Sequence, residues 1–245
     1  MLRSTLIAGL LAAALALPTS SGAQTLDSVQ LAISQAVGSD HSINVVPFEF
    51  DPNNSNLAKA SWLSGTGCTP LDGIDLLCTG GDSKDKKNEG LLLVKTGLTA
   101  NVVAAGARIN GVKGLVITEL GYDLRKPADS LDPRGSHCGA GAARFNVVIN
   151  GATYFVGCNS PAPVQTPLGP GWIRLRWGGA TAVPPGTLMA FGPNGLENIS
   201  GRTVDSITLL FDEGQDTGPD NFGLAVLDNI KVNNQIAGRG PGSGS

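Results

Sequence analysis

From Ile43 onward, hydrophobic and polar residues alternate along most of the chain with a period of two, which predicts β-strands. The predicted strands are short, partly β-branched, and separated by clusters of Gly, Pro, Asn and Asp. They cover residues 43–50, 58–63, 74–78, 91–95, 102–109, 115–124, 144–150, 153–157, 172–177, 187–191, 204–211 and 222–232. Because no crossover helices separate them, an all-β antiparallel sandwich or barrel is expected.

The segment 144–157 is the strongest local signal. Asn150-Gly151 favours a two-residue hairpin turn, because both positions tolerate positive φ. With this turn, the apolar residues of both flanking strands fall on one face, which predicts a hairpin packed against the core. These residues are Phe145, Val147, Ile149, Ala152, Tyr154 and Val156.

The N-terminal part of the chain departs from this pattern. Arg3 precedes a small-apolar run over 6–17 that is too short to span a bilayer, and Pro18 ends it. Small residues then fit signal-peptide cleavage after Ala23, which leaves residues 24–42 as a short helical or flexible lead-in. The chain is therefore expected to be exported, either to the periplasm or to the cell exterior.

Composition and charge narrow the function classes. Charged residues make up 15% of the chain and the net charge is -3, which argues against a nucleic-acid partner or a basic membrane patch. A second long apolar segment is missing from the sequence, so no transmembrane anchor is expected. Residues 237–245 have the composition of a flexible tail, and the sandwich domain is expected over 43–236.

The 4 cysteines all follow the predicted signal peptide, and export makes disulfide bonds permissible. Four cysteines allow three pairings, which the sequence does not distinguish. The simplest prediction is local pairing of Cys68 with Cys78 and of Cys138 with Cys158, each stabilising by about 2–4 kcal/mol. Zinc binding is disfavoured, because no Cys-x-x-Cys pair is present and the chain has only 2 histidines.

The last predicted strand, 222–232, places Asp228 on one face with five apolar residues. A core-facing carboxylate is costly unless it is paired, hydrogen-bonded or metal-bound. Two explanations are open. Asp228 either accepts backbone N–H bonds or is turned outward by a bulge, or it binds a structural calcium ion together with the oxygen-rich loop before it. The loop ligands would be Asp212, Asp216 and Asp220.

This Asp/Gly-rich loop, followed by Phe-Gly-Leu-Ala-Val-Leu-Asp-Asn-Ile-Lys-Val over 222–232, resembles the closing strand of secreted bacterial jelly-roll modules. These include galactose-binding-like and carbohydrate-binding modules. The resemblance implies a jelly-roll sandwich in which the opening strand, 45–50, lies near the closing strand. It also implies a structural calcium where the two meet, at Asp228, with Asp51 as the candidate ligand from the opening strand. The motif supports fold more than function.

A possible ligand platform lies in the predicted strand 172–177. Alternation places Trp172, Arg174 and Arg176 on the face opposite the core, where an exposed indole beside guanidinium groups suits stacking on a sugar ring. Arg144 and Asn146 would extend this face if their strands are neighbours. The alternative is an ordinary solvent face on which Arg stems cover apolar surface.

Three functions are consistent with these patterns. The leading hypothesis is a secreted, non-catalytic module that binds an extracellular polysaccharide or another glycan. The second is a self-associating surface or matrix protein, suggested by low charge, high Gly content and exposed strand edges. The third is a carbohydrate-active hydrolase, for which Glu119 and Asp123 on one strand face are the candidate carboxylates. His41 and His137 lie in no catalytic motif.

Overall fold

The computed structural model describes residues 42–68, 81–97, 102–126, 143–158, 162–169, 171–212 and 222–241. They fold into two antiparallel sheets, which confirms the predicted all-β sandwich. The one helical element among them is a single 3₁₀ turn, Gly179–Thr181. Within these ranges, no helix is long and apolar enough to cross a membrane.

The two sheets, A and B, take their strands from all along the chain. Sheet A has the spatial order β1 (Asn44–Phe50), β4 (Ala104–Asn110), β12 (Ser206–Phe211), β6 (Arg144–Ile149), β7 (Ala152–Val156), β10 (Met189–Gly192) and β11 (Gly195–Asn198). Sheet B has the order β2 (Ala58–Leu63), β3 (Gly90–Thr96), β13 (Phe222–Val232), β5 (Glu119–Arg125), β9 (Trp172–Gly178) and β8 (Val164–Gly169), with β14 (Gln235–Ala237) paired to β13.

The β6–β7 hairpin forms as predicted. Asn150 and Gly151 adopt positive φ values of 50° and 75°, and the register pairs Ile149 with Ala152. This turn places Phe145 and Val147 in the core between the sheets. Phe145 there meets two aromatic residues of sheet B, Tyr122 and Trp177, with ring centroids 5.5 and 5.9 Å away.

Strand β13 differs from its prediction because of a β-bulge. The register with β5 pairs Asp228 with Asp123 but Lys231 with Gly121, so one extra residue lies on β13. Asn229 has a φ of 47°, a conformation that Asn tolerates better than most residues. A one-residue insertion reverses the alternation, and the prediction of a single apolar face over 222–232 is therefore wrong. Ala225, Leu227, Ile230 and Val232 face the core, whereas Leu224, Val226 and Asp228 lie on the outer face of sheet B.

The opening and closing strands do not meet in the way that the jelly-roll resemblance implied. Strand β1 pairs with β4 at one edge of sheet A, whereas β13 pairs with β3 and β5 inside sheet B. The expected junction of first and last strands, with Asp51 and Asp228 as neighbours across it, is thus not formed by strand pairing.

Three strands lie outside the predicted set: β8, β11 and β14. Strand β8 is an exposed edge strand that contains Pro167, and β11 and β14 are only 4 and 3 residues long. Short or Pro-containing segments give little alternation to detect. The predicted strand 74–78 lies outside the described residues, as do the signal peptide and the lead-in over 24–41.

Candidate binding face and its covered counterpart

The outer face of sheet B holds three of the five predicted ligand-binding residues, but other protein groups already engage them. Trp172, the predicted ligand platform, is 8% exposed and packs in a second apolar cluster with Cys68, Leu168 and Val226. The guanidinium of Arg125 lies over its indole ring, 5.3 Å from the centroid. Trp172 therefore lies on the predicted face of its strand, yet it presents no open ring to a sugar.

Arg174 and Arg176 extend from the same face and converge on one carboxylate. Asp123, which is fully buried, accepts hydrogen bonds from Nε and Nη2 of Arg174, both at 2.8 Å. Nη2 of Arg176 donates to the same carboxylate at 3.4 Å. The bond to Asp123 raises the pKa of Arg174, whereas burial lowers the pKa of Arg176. This geometry is that of a structural ion network, in which both guanidinium groups already have a protein partner.

Asp228 lies beside this network and is also buried. Its Oδ2 accepts the backbone N–H of Cys68 at 2.7 Å, and its Oδ1 accepts that of Asn229 at 2.6 Å. Burial raises the pKa of Asp228 to about 8. Asn229 links the two carboxylates, because its backbone N–H donates to Asp228 and its side-chain Nδ2 donates to Asp123 at 3.0 Å. Both simpler explanations for Asp228, a bulge and backbone N–H donors, thus describe its environment.

The described residues do not gather the oxygen ligands that calcium requires. Asp212 forms a bidentate pair with Arg144 at 2.5 Å, and Asp51 accepts bonds from Ser55 and Asn56 in its own loop. No group of three or more His, Cys, Asp or Glu side chains in the described ranges is arranged to hold a metal ion. Asp216 and Asp220 lie outside these ranges, so a calcium site in that loop stays a prediction.

Two segments pack around the Asp228 end of sheet B. In the loop before β3, Asp82 donates its backbone N–H to Asn229 Oδ1 at 3.0 Å, and its carboxylate accepts Gly238 N at 3.3 Å. After β14, Gly240 N donates to Glu89 Oε2 at 2.7 Å, and a Cβ atom at Gly240 would lie 2.9 Å from the ring of Trp62. Residues 238–240, predicted as part of a flexible tail, are therefore packed into the domain.

The two cysteines that lie within the described residues are buried. Cys68 and Cys158 are 6% and 8% exposed, and neither carries a free thiol. Their predicted partners, Cys78 and Cys138, lie outside the described residues. The local pairing therefore stays a prediction.

The candidate catalytic carboxylates also lie on the outer face of sheet B, on the same side of β5. Glu119 forms an ion pair with Lys231 at 2.6 Å, and Asp123 is engaged by Arg174 as described above. His41 and His137 lie outside the described residues.

Arg144 and Asn146 occupy the opposite side of the molecule. Their strand, β6, belongs to sheet A, so they do not extend the face of Trp172, Arg174 and Arg176. A joint face was expected only if β6 and β9 were neighbouring strands, and they belong to different sheets. The predicted site is instead divided between the two outer faces of the sandwich.

The outer face of sheet A is open in the described structure and carries a row of aromatic and polar side chains. Direct cross-strand pairing aligns the row, from β11 to β1, in the order Leu196, Phe191, Phe155, Asn146, Thr208, Arg108 and Val46. Phe155 is 39% exposed, Phe191 51% and Leu196 53%. Adjacent strands lie about 4.8 Å apart, so the row from Phe191 to Arg108 spans about 19 Å.

Polar groups occupy the middle of this row, between Phe155 and Arg108. Thr208 and Asn146 are partly buried, and the Oδ1 atom of Asn146 has no hydrogen-bond partner in the described structure. An unsatisfied carbonyl of this kind costs about 1–3 kcal/mol. Arg144 lies beside it, with its guanidinium 5.7 Å from the ring centroid of Phe155.

Sequence analysis identified Arg144 and Asn146 but missed Phe48, Arg108, Phe155 and Phe191. A single alternating strand shows which residues share a face, but not which face is left uncovered. The usable signal was Phe155 of the predicted hairpin, because the predicted register places this aromatic residue on the outward face that carries Arg144 and Asn146.

The similarity of this chain to known proteins is low. No family model matches the sequence, and no curated protein matches it. A family 11 carbohydrate-binding module from Clostridium thermocellum, solved with a β-1,3-1,4-mixed-linked tetrasaccharide, has 16% identity and a TM-score of 0.37 and covers 81% of this chain and 91% of that chain. The family 11 module of the cellulosomal cellulase Lic26A-Cel5E of the same organism has 16% identity and a TM-score of 0.36, covering 79% and 88%.

Proposed function

We propose that this protein is a non-catalytic carbohydrate-binding module whose ligand lies across the outer face of sheet A. The observation that carries the proposal is the cross-strand row in which Phe191 and Phe155 stand open to solvent next to Asn146 and Thr208. Large apolar side chains in one exposed patch, bordered by hydrogen-bonding groups, are typical of an interaction surface.

The chemistry of the row suits a polysaccharide. Aromatic rings pack against the C–H faces of sugar rings, and amide, hydroxyl and guanidinium groups hydrogen-bond to the hydroxyls. A strand-to-strand row is straight and rigid, so an extended glycan would contact several side chains without ordering a loop. The unsatisfied Oδ1 of Asn146 would gain a donor from a sugar hydroxyl after a small rotation of the amide.

The edges of the described sheets favour this function over self-assembly. Strand β1 carries Pro47 and strand β8 carries Pro167, and proline removes the N–H that an added strand would need. On the edge strand β2, the N–H of Ala60 is already accepted by Glu49 Oε1 at 3.1 Å. These features are the usual protection of a sandwich against edge-to-edge association.

The cellular setting belongs to the same proposal. A signal peptide ending at Ala23 would deliver the module to the periplasm or the cell exterior, where polysaccharides are accessible. Amino-terminal sequencing of the exported protein tests this part, and a chain that begins at Met1 would contradict it.

A glycan array on the full chain, followed by affinity electrophoresis with the glycans that bind, tests the proposed function. Phe155→Ala and Phe191→Ala should each weaken binding by about tenfold, since each removes a stacking surface worth about 1–1.5 kcal/mol. Leu63→Ala is the matched control, because Leu63 is also 39% exposed but lies on β2 of sheet B. Unchanged binding in both Phe variants, or no glycan bound by the wild type, would overturn the proposal.

A further inference from the structure

Two Arg–aromatic pairs lie on the outer face of sheet A, and they differ in charge balance. Arg144 contacts Phe155 and is neutralised by the bidentate carboxylate of Asp212. Arg108 lies over Phe48, 4.6 Å from the ring centroid, and no carboxylate contacts it in the described structure. One guanidinium is thus balanced, while the exposed one keeps its full positive charge and its free N–H donors.

The backbone of β4 holds the Arg108 pair in position. Gly106 faces Phe48 in the register of β1 and β4, and a Cβ atom at Gly106 would lie 2.8 Å from Cζ of that ring. Glycine therefore lets the ring lie flat on the sheet, with Arg108 above it. A stacked guanidinium is preorganised, so it loses less side-chain freedom when it binds a partner.

The surroundings of Arg108 select for a negatively charged partner. The cross-strand row that contains it has no acidic side chain: its neighbours are Val46 on one side and Thr208 on the other. The chain as a whole has a net charge of -3, so polyanions are not attracted without specific contacts. The planar fork of Arg matches a carboxylate in bidentate geometry, and a hydroxyl uses only part of it.

We propose that the ligand of this face is an acidic glycan, a polymer containing uronic acids, and that Arg108 binds a sugar carboxylate at the β4 end of the row. This inference rests on the proposed function, and it adds the chemical class of the sugar. Phe155 and Phe191 would hold the sugar rings, while Arg108 distinguishes a charged polymer from a neutral one.

The test compares two polyuronates, polygalacturonate and alginate, with their carboxyl-reduced forms, which keep the sugar backbone but lose the charge. The full chain should bind at least one polyuronate about tenfold more tightly than its reduced form, with an affinity that falls as salt is raised. Arg108→Gln should reduce this preference to near unity and leave binding of the reduced polymer unchanged. Lys84→Gln removes the same charge from the exposed loop over sheet B and should leave the preference intact.

The outcomes separate this inference from the proposed function. Equal affinity for charged and reduced polymers, binding confined to neutral glycans, or a preference that survives Arg108→Gln would overturn the acidic-glycan inference while leaving carbohydrate binding in place. If the wild type binds no polysaccharide of either kind, both fail. A preference lost in Arg108→Gln and kept in Lys84→Gln supports both.

Discussion

The two outer faces of the sandwich carry similar residue types in opposite settings. On sheet A, Phe155 and Phe191 stand open to solvent and Arg108 has no carboxylate partner in the described structure. On sheet B, Trp172 is buried, and Arg174 is paired with a buried Asp123. Cys68 packs beside Trp172 on that second face, and the loop before β3 and the segment after β14 contact Asn229 and Asp228.

An aromatic residue beside arginine is therefore not by itself a sign of a binding site. The same pairing stabilises the fold when a second layer covers it, and it is available to a ligand when the face is open. Guanidinium–aromatic contacts occur on both faces, at Arg125 over Trp172 and at Arg108 over Phe48. The difference lies in the carboxylates: sheet B supplies the buried Asp123 and Asp228, whereas on sheet A Asp212 pairs with Arg144 and no carboxylate contacts Arg108 in the described structure.

The largest effect is expected from breaking the buried ion network. Asp123→Asn leaves Arg174 and Arg176 without their shared negative charge while keeping the shape of the side chain. Removing one partner of a buried pair destabilises by about 3–5 kcal/mol, and we expect a loss of about 3 kcal/mol in the free energy of unfolding. Denaturant unfolding of the full chain measures it.

The matched control is Glu49→Gln, which removes one partner of the exposed pair with Lys59, whose side chains are 37% and 56% exposed. Exposed pairs contribute about 0–1 kcal/mol, so this variant should unfold close to the wild type. If Asp123→Asn is no less stable than Glu49→Gln, sheet B does not hold a structural network, and its charged residues become candidates for a ligand site.

Replacing the aromatic residue on each face gives the next largest effect and separates stability from binding. Trp172→Ala empties part of a buried cluster and should cost about 3 kcal/mol of stability, with glycan affinity unchanged at a temperature where the variant is folded. Phe191→Ala should change stability by less than about 0.5 kcal/mol and weaken glycan binding. Thermal unfolding and affinity electrophoresis on both variants decide the matter, and the reverse pattern would exchange the roles of the two faces.

The sequence predicts some strands of this molecule better than others, because turn residues fix a register whereas hydrophobic alternation alone does not. The β6–β7 hairpin was predicted in full, because Asn150-Gly151 fixes the turn and the turn fixes the register. Strand β13 was located to its bounds, but its facing was wrong up to Asp228 and right only from Ile230 onward, because the one-residue bulge at Asn229 cannot be seen in the alternation of hydrophobic residues.

The proposed binding face was harder to predict, because it depends on contacts between residues that are far apart in the sequence. Arg144, Asn146 and Trp172 were all placed correctly on the outward side of their strands. Which sheet each strand joins, and which outer face a distant loop covers, depend on contacts such as that of Asp82 with Asn229, which are 147 residues apart. The alternation of residues in one strand shows which side chains share a face, but it does not predict such long-range contacts.

The last prediction is a pH dependence of stability that the face of sheet B should show and the face of sheet A should not. The pKa of Asp228 is raised from 3.8 to about 8 by burial. Between these values the unfolded chain releases the proton while the folded chain keeps it, so the free energy of unfolding falls as pH rises, by at most about 1.4 kcal/mol per unit. The contribution is complete below the unfolded pKa and is lost by about pH 8. Asp228→Asn should flatten this part of the profile between about pH 5 and pH 8.

Asp51→Asn is the control, because hydrogen bonds from Ser55 lower the pKa of Asp51, and its titration lies below that window. Repeating the profile with calcium and with a chelator also tests the predicted ion. A cation bound at Asp228 would favour the carboxylate, so calcium would remove the slope and stabilise the domain at high pH. A slope that persists in calcium and vanishes in Asp228→Asn means that burial, and not a metal, sets the protonation of this carboxyl. The buried carboxyl of Asp228 would then stabilise the packing of Cys68 against the outer face of sheet B.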